Sequence, residues 1–157
     1  RPAGDVVTNL ASWLLEQIAA DEQVAREATE GRWHWVMGGL GKNDRNTLVA
    51  DAYVPGDGWH TVLRAAEMPL SAVDAEHIAR WDPARVLAEC AAKRNVVAEY
   101  EKALAQRREL AGGPHSTEAA ARLLTLLGVL RVLALPYADR AGYEEATKPV
   151  TRTREPQ

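Results

Sequence analysis

The chain has 157 residues, of which 46% are hydrophobic and 26% are charged, and its formal net charge is −3. These proportions are those of an ordinary globular protein and argue against a disordered or collagen-like chain. The small negative charge gives no general attraction to nucleic acid, whose binders carry a basic surface. Cys90 is the only cysteine, which excludes an intramolecular disulfide and a zinc site built on paired cysteines.

The first half of the sequence predicts one long helix followed by three strands. Apolar residues recur at steps of three and four over about residues 6–27, which is the pattern of an amphipathic helix. The period then changes to two in residues 33–37, 47–54 and 59–64, and turn-forming residues separate these segments. Three consecutive short strands indicate an antiparallel meander, and helices must cover one face of it.

Two capping signals predict helices in the second half. The motif Ser71-x-x-Asp74 has the form of a capping box, which opens a short helix that ends near residue 81. The pair Asp82-Pro83 provides an N-cap followed by proline at the first helical position. We expect this second helix to continue to about residue 110, just before a Gly-Gly-Pro stop signal.

The last long helix is apolar on nearly all sides between Leu123 and Leu135. A helix without a polar face is expected to be buried. Arg122 and Arg131 interrupt its apolar run, which is shorter than the ~20 residues of a membrane span. The sequence therefore predicts an α+β fold: a long N-terminal helix, a three-stranded antiparallel meander, then a short helix and two long antiparallel helices packing around a buried C-terminal helix.

The boundaries of the folded region follow from the same patterns. We expect residues 1–147 to form a single globular domain and residues 148–157, which lack hydrophobic periodicity, to form a flexible C-terminal tail. No basic region followed by an apolar one precedes the first helix, so a secretory signal is not expected. Together with the single cysteine, this favours a cytoplasmic location and no association with a membrane.

Three phrases of the sequence resemble one known family. They are EATEGRW at residues 27–33, AEHIARWDPARVLAECAAKR at residues 75–94 and LRVLALPYADRAGY at residues 130–143. In this order they are similar to an uncharacterised family of small actinobacterial and actinophage proteins, whose members read along the lines of AHIARHDPARVLAEVEAKR and LRLLALPYADHPGY. The resemblance implies a phage or mobile-element setting and no particular activity. Cysteines and histidines between the two long helices would imply a metal site in such proteins, but residues 103–115 here contain no cysteine.

The tryptophans form the first candidate binding surface. Trp33, Trp35 and Trp59 lie on strands that we expect to be neighbours, and Trp81 closes the short helix. Exposed indoles can stack on a base, a nucleotide or the side chain of a protein partner. The alternative is that Trp33 and Trp35 share a covered face of the sheet and belong to the core.

His77 and Arg85 complete the candidate ligand- or partner-binding set, because they flank Trp81 where the two capped helices meet. The structural alternative for His77 is a backbone hydrogen bond or a ring contact with Trp81. Arginines and lysines give the middle helices a basic side that suits an anionic partner. Glutamates interleave with them, which is also the pattern of a solvated, salt-bridged surface.

No motif in the sequence indicates catalysis. It contains no nucleophile elbow, P-loop, dinucleotide fingerprint or zinc-protease motif, and the four histidines lack metal-ligand spacing. We therefore expect no catalytic residue, no metal and no cofactor. The leading hypothesis is a phage- or mobile-element-associated accessory protein that binds a protein partner or itself. The alternative is a nucleotide or single-stranded nucleic-acid binding module that uses the tryptophan-rich sheet and Arg85.

Overall fold

The computed structural model describes residues 4–36, 47–54, 58–64 and 71–148. The elements in chain order are α1 (Gly4–Glu27), β1 (Trp33–Val36), β2 (Thr47–Val54), β3 (Gly58–Arg64), α2 (Ala72–Arg80), α3 (Pro83–Glu109), α4 (Ser116–Ala134), a 3-10 helix (Leu135–Tyr137) and α5 (Tyr143–Thr147). The predicted α+β fold, with a long N-terminal helix, a three-stranded antiparallel sheet and several helices after it, is confirmed.

The chain divides into two compact units. The sheet unit runs from Asp21 to Cys90, and the helical unit contains the described residues up to Ala20 and from Ala91 onward. The division falls inside α1 and inside α3, so each of these helices contributes residues to both units. The expectation of a single domain over residues 1–147 stays a prediction. The predicted tail lies outside the described residues, apart from its first residue.

The sheet unit is built on strands in the order β1-β2-β3. β1 pairs with β2 in antiparallel register, which places Trp33 opposite Ala50 and Trp35 opposite Leu48. Because successive side chains of a strand point to opposite faces, these four residues share one face of the sheet. Leu48 and Ala50 are buried. α2 contributes to the cover of this face, since the indole N–H of Trp35 donates a hydrogen bond to the backbone oxygen of Ala75.

Both predicted N-cap side chains accept a hydrogen bond from the backbone N–H three residues later. The hydroxyl oxygen of Ser71, the N-cap of α2, accepts from the backbone N–H of Asp74 at 3.1 Å and donates to its carboxylate at 2.6 Å. At the start of α3, the carboxylate of Asp82 accepts from the backbone N–H of Arg85 at 2.8 Å. Each cap of this kind contributes about 0.5–2 kcal/mol. The C-cap of α2, Trp81, is followed directly by the N-cap of α3, and we call this junction the corner between the two helices.

The core of the helical unit consists of buried side chains from α1, α3 and α4. The largest of those that are fully buried are Leu10, Leu14, Ile18, Val97, Tyr100 and Leu130. Burial of an aliphatic or aromatic side chain contributes roughly 1.5–3 kcal/mol, so these residues are the main source of stability in the unit. Burial also raises the pKa of the Tyr100 hydroxyl above its ordinary value.

Trp13 anchors the segment that follows α4. Its indole N–H donates a hydrogen bond to the backbone oxygen of Ala141 at 3.0 Å. Its ring meets those of Tyr137 and Tyr143 edge-on, at centroid distances of 6.4 and 5.8 Å. Gly142 has a φ of 83°, and a Cβ atom on it would lie 3.0 Å from the indole nitrogen. Glycine is therefore required here both by the backbone conformation and by the close approach of the tryptophan.

The prediction that α4 is buried on all sides is wrong, because only one face of the helix is covered. The buried residues are Ala119, Leu123, Leu130 and Ala134. On the opposite face Leu124, Val132 and Leu135 expose 67%, 63% and 58% of their surface. The physical reason is that a small helical unit contacts α4 along one stripe of its circumference. Apolar residues outside that stripe stay in water, however hydrophobic they are.

Two leucines of α4 provide a direct test of this division. Leu130 is fully buried, whereas Leu124 is mostly exposed. We expect Leu130→Ala to lower the free energy of unfolding by about 2–5 kcal/mol, because it removes buried surface and leaves a cavity. Leu124→Ala is expected to change it by no more than about 0.5 kcal/mol in dilute protein. Urea denaturation followed by far-UV circular dichroism measures both, and equal losses in the two variants would contradict the assignment of the faces.

Candidate functional site

The two tryptophans of β1 help to hold the sheet unit together. Trp33 and Trp35 are half-buried. The indole N–H of Trp33 donates to the backbone oxygen of Thr29 at 3.0 Å, and that of Trp35 donates to Ala75 on α2. Both indole N–H groups are thus hydrogen-bonded within the sheet unit, and only part of each ring is available to a ligand. Trp59 lies on β3, but its side chain falls outside the part of the chain that can be described.

The other three predicted site residues meet at the corner between α2 and α3. The guanidinium carbon of Arg85 lies 4.4 Å from the ring centroid of Trp81, which is a cation–π contact. The ring of His77 lies 6.4 Å from that of Trp81, which is the ring contact expected in the structural alternative. Glu89 accepts a hydrogen bond from Nε of Arg85 at 3.0 Å and holds the guanidinium in place. The Trp81 ring nevertheless remains 45% exposed.

A cleft of about 430 Å³ opens beside this corner, within the sheet unit. Its polar and aromatic lining consists of Arg32, Trp33, Arg80, Asp82 and Arg85, and two alanines complete it. We call it the arginine cleft. It brings together two of the predicted site residues, Trp33 and Arg85, while Trp35, His77 and Trp81 do not line it. Three arginines and one aspartate line the cleft, and Glu76 and Glu89 pair with Arg80 and Arg85 beside it.

Sequence reasoning missed three members of this cleft. Arg80 and Asp82 have evident local roles, because Arg80 pairs with Glu76 on α2 and Asp82 caps α3. Arg32 directly precedes β1 and lies in the phrase EATEGRW, which indicates the family but no particular chemistry. About fifty residues separate it from the other two arginines along the chain, and only the fold brings them to one cleft. The basic side of the middle helices was the one sequence signal that pointed in this direction.

A second candidate surface lies in the helical unit, on the exposed side of α4. We define the α4 face by Leu124, Gly128, Val132 and Leu135, which follow one another at steps of four, four and three residues. Such spacing aligns them along one side of a helix. A side chain at Gly128 would meet nothing within 4 Å, so the middle of the face is a shallow gap between larger apolar residues.

Charged side chains on and around the α4 face are paired or mixed in sign. Arg131 follows Gly128 by three residues and precedes Leu135 by four, so it lies on the same side of the helix as the α4 face. Arg122 donates to the carboxylate of Glu99 on α3 at 3.2 Å. Lys102, and to a smaller extent Arg122, hold the pKa of the Glu99 carboxyl below its ordinary value. Arg131 and Glu118, both exposed, add one charge of each sign. The surroundings of the α4 face therefore favour neither an acidic nor a basic partner, and its apolar character dominates.

The described residues provide no metal site and one apolar helix of membrane-spanning length. Within residues 4–36, 47–54, 58–64 and 71–148, no group of three or more histidine, cysteine, aspartate or glutamate side chains is arranged to hold a metal ion. The segment Ser116–Tyr137 has 22 residues and is long and apolar enough to cross a membrane, contrary to the shorter length expected from the sequence, and 22% of its apolar window is buried. Core helices of soluble proteins meet the same criterion of length and composition. The segment therefore gives only weak support to a membrane role.

Comparison with known proteins gives a family but no activity. The model of a family of unknown function, DUF6221, matches residues 7–149. The chain belongs to this family, which confirms the resemblance of its three phrases to an uncharacterised family. No curated protein and no solved structure matches the chain. Its function must therefore be inferred from its own surfaces.

Proposed function

We propose that this DUF6221 member is a non-enzymatic accessory protein that acts by self-association through the α4 face. The observation that carries the proposal is the alignment of Leu124, Val132 and Leu135 on one side of a helix, each more than half exposed. Single exposed apolar residues are ordinary, whereas a contiguous group of them marks an interaction site. The absence of catalytic motifs from the sequence supports a role in binding.

The shape of the α4 face favours another helix, and a second copy of α4 is the simplest one available. The face is one helix wide, and Gly128 at its centre lets a partner backbone approach closely. In an antiparallel pair that crosses at Gly128, Leu124 of one copy lies opposite Val132 of the other. Two-fold symmetry repeats the same contact, so a single surface serves both partners.

A lipid membrane fits this helix less well than a protein does. A membrane-spanning α4 would expose its buried stripe to lipid and separate Leu123 and Leu130 from the core of the helical unit. Shallow binding to an anionic membrane would require a basic border, and the exposed charges of α4 include both Arg131 and Glu118. A cytoplasmic setting in phage or mobile DNA of actinobacteria, implied by the sequence phrases, forms part of the proposal.

A matched pair of valine substitutions tests self-association. Val132 on the α4 face is 63% exposed and Val24 on α1 is 69% exposed, so a glutamate at either site disturbs the isolated fold equally little. Val132→Glu places two carboxylates in an apolar contact and is expected to raise the dimer dissociation constant by about tenfold or more, which corresponds to about 1.4 kcal/mol. Val24→Glu is expected to leave it unchanged. Sedimentation velocity over a range of protein concentrations measures the constant.

Three results would overturn the proposal. The first is a wild-type chain that sediments as a monomer at every concentration up to several hundred micromolar. The second is wild-type protein that floats with phospholipid vesicles while Val132→Glu does not, because this would assign the α4 face to a membrane. The third is equal weakening by Val132→Glu and Val24→Glu, which would show that association depends on net charge and not on this face.

A further inference from the structure

We infer that the arginine cleft is a binding site for a nucleoside monophosphate, recognised through its phosphate by the arginines and through its base by Trp33 and Asp82. This inference concerns the sheet unit alone and does not depend on self-association through α4. It rests on five side chains, three basic, one acidic and one aromatic, that line one cleft of about 430 Å³. That volume lies in the range of small-molecule sites, which is about 300–1,000 Å³.

The arginines of the lining suit a phosphate group as hydrogen-bond donors. Arg32, Arg80 and Arg85 line the cleft, and Glu76 and Glu89 balance the charges of Arg80 and Arg85. A phosphate monoester has three terminal oxygens and about −1.5 to −2 charges at neutral pH, so it can accept from several guanidinium groups at once. Guanidinium groups also match the geometry of phosphate oxygens, because their N–H donors form a planar fork.

The arginines differ in how far the protein already uses them. Arg80 is paired with Glu76, and Arg85 uses Nε for Glu89. The contact with Glu89, together with the Trp81 ring, orients the guanidinium of Arg85 and leaves its two terminal nitrogens for a ligand. Among the described residues, Arg32 has no ion pair. Arg32 is exposed, so it can bind an anion without breaking an interaction that holds the fold.

Two further lining groups suit the base of the ligand. Trp33 is held by its bond to Thr29, and the part of its ring that lines the cleft offers a flat apolar surface for stacking. Asp82 caps α3 through Oδ1, and its other carboxylate oxygen remains an acceptor for an exocyclic amino group. Because Asp82 already caps the N-terminus of α3, we assign anion binding in the cleft to the arginines and not to the backbone N–H groups of that helix end.

Isothermal titration calorimetry of the full chain at low salt tests this assignment. AMP is the primary probe, and adenosine and inorganic phosphate report the base and phosphate contributions separately. We expect AMP to bind at least about tenfold more tightly than either part, because each part makes only some of the contacts. Titration of a single-stranded oligonucleotide, with and without a 5′-phosphate, distinguishes a free nucleotide from the end of a nucleic-acid strand as the ligand. Tighter binding of the phosphorylated strand than of AMP assigns the cleft to a strand end, and the reverse assigns it to the free nucleotide.

Arginine variants connect binding to the cleft. Arg32→Gln is expected to weaken AMP binding by about tenfold or more, since it removes one charge-assisted contact to the phosphate. Arg107→Gln changes an exposed arginine of α3 in the helical unit and is expected to leave the affinity within about twofold. Equal thermal unfolding of both variants and the wild type shows that folding is preserved. Absence of AMP binding at millimolar concentration, equal affinity for AMP and adenosine, or equal effects of the two substitutions would overturn the inference.

Discussion

Burial of a single stripe of α4 in the helical unit is the constraint on which the rest of this account depends. Leu130 and Ala134 are fully buried, and Ala119 and Leu123 continue the buried stripe toward the start of the helix. Packing against the core does not explain why the opposite side of α4 is also apolar. Leu124, Val132 and Leu135 add little to the stability of the isolated chain, because they remain in water. An apolar side that the core does not need is best explained by contact with another molecule.

The two candidate surfaces differ in chemistry and lie in different units. The α4 face is apolar and has a glycine at its centre, which suits a partner helix. The arginine cleft is charged and has an aromatic wall, which suits a small anion with a planar group. The residues of the α4 face and those of the arginine cleft belong to separate compact units. Each surface is therefore tested by substitutions of its own residues.

Much of the fold could be predicted from local signals in the sequence. Ser71 and Asp82 identify the starts of α2 and α3, because an N-cap requires a short polar side chain at a fixed position. The change of period at Trp33 predicts the sheet, and alternation correctly places Trp33 and Trp35 on one face. Periodicity failed for α4, because it shows which positions are apolar and not which of them are covered. The arginine cleft could not be predicted, since Arg32 meets Arg80 and Arg85 only through the tertiary fold.

The most direct test of the central claim is the rate at which a thiol on the α4 face reacts with a maleimide as the protein concentration is raised. The only native cysteine, Cys90, is buried, so a thiol introduced by Val132→Cys reports on the face alone. The account predicts rapid labelling in dilute protein and progressively slower labelling as dimers form, whereas Val24→Cys reacts at a constant rate. Slow labelling of Val132→Cys at the lowest concentration, or a rate independent of concentration, would contradict an exposed face that is covered by self-association.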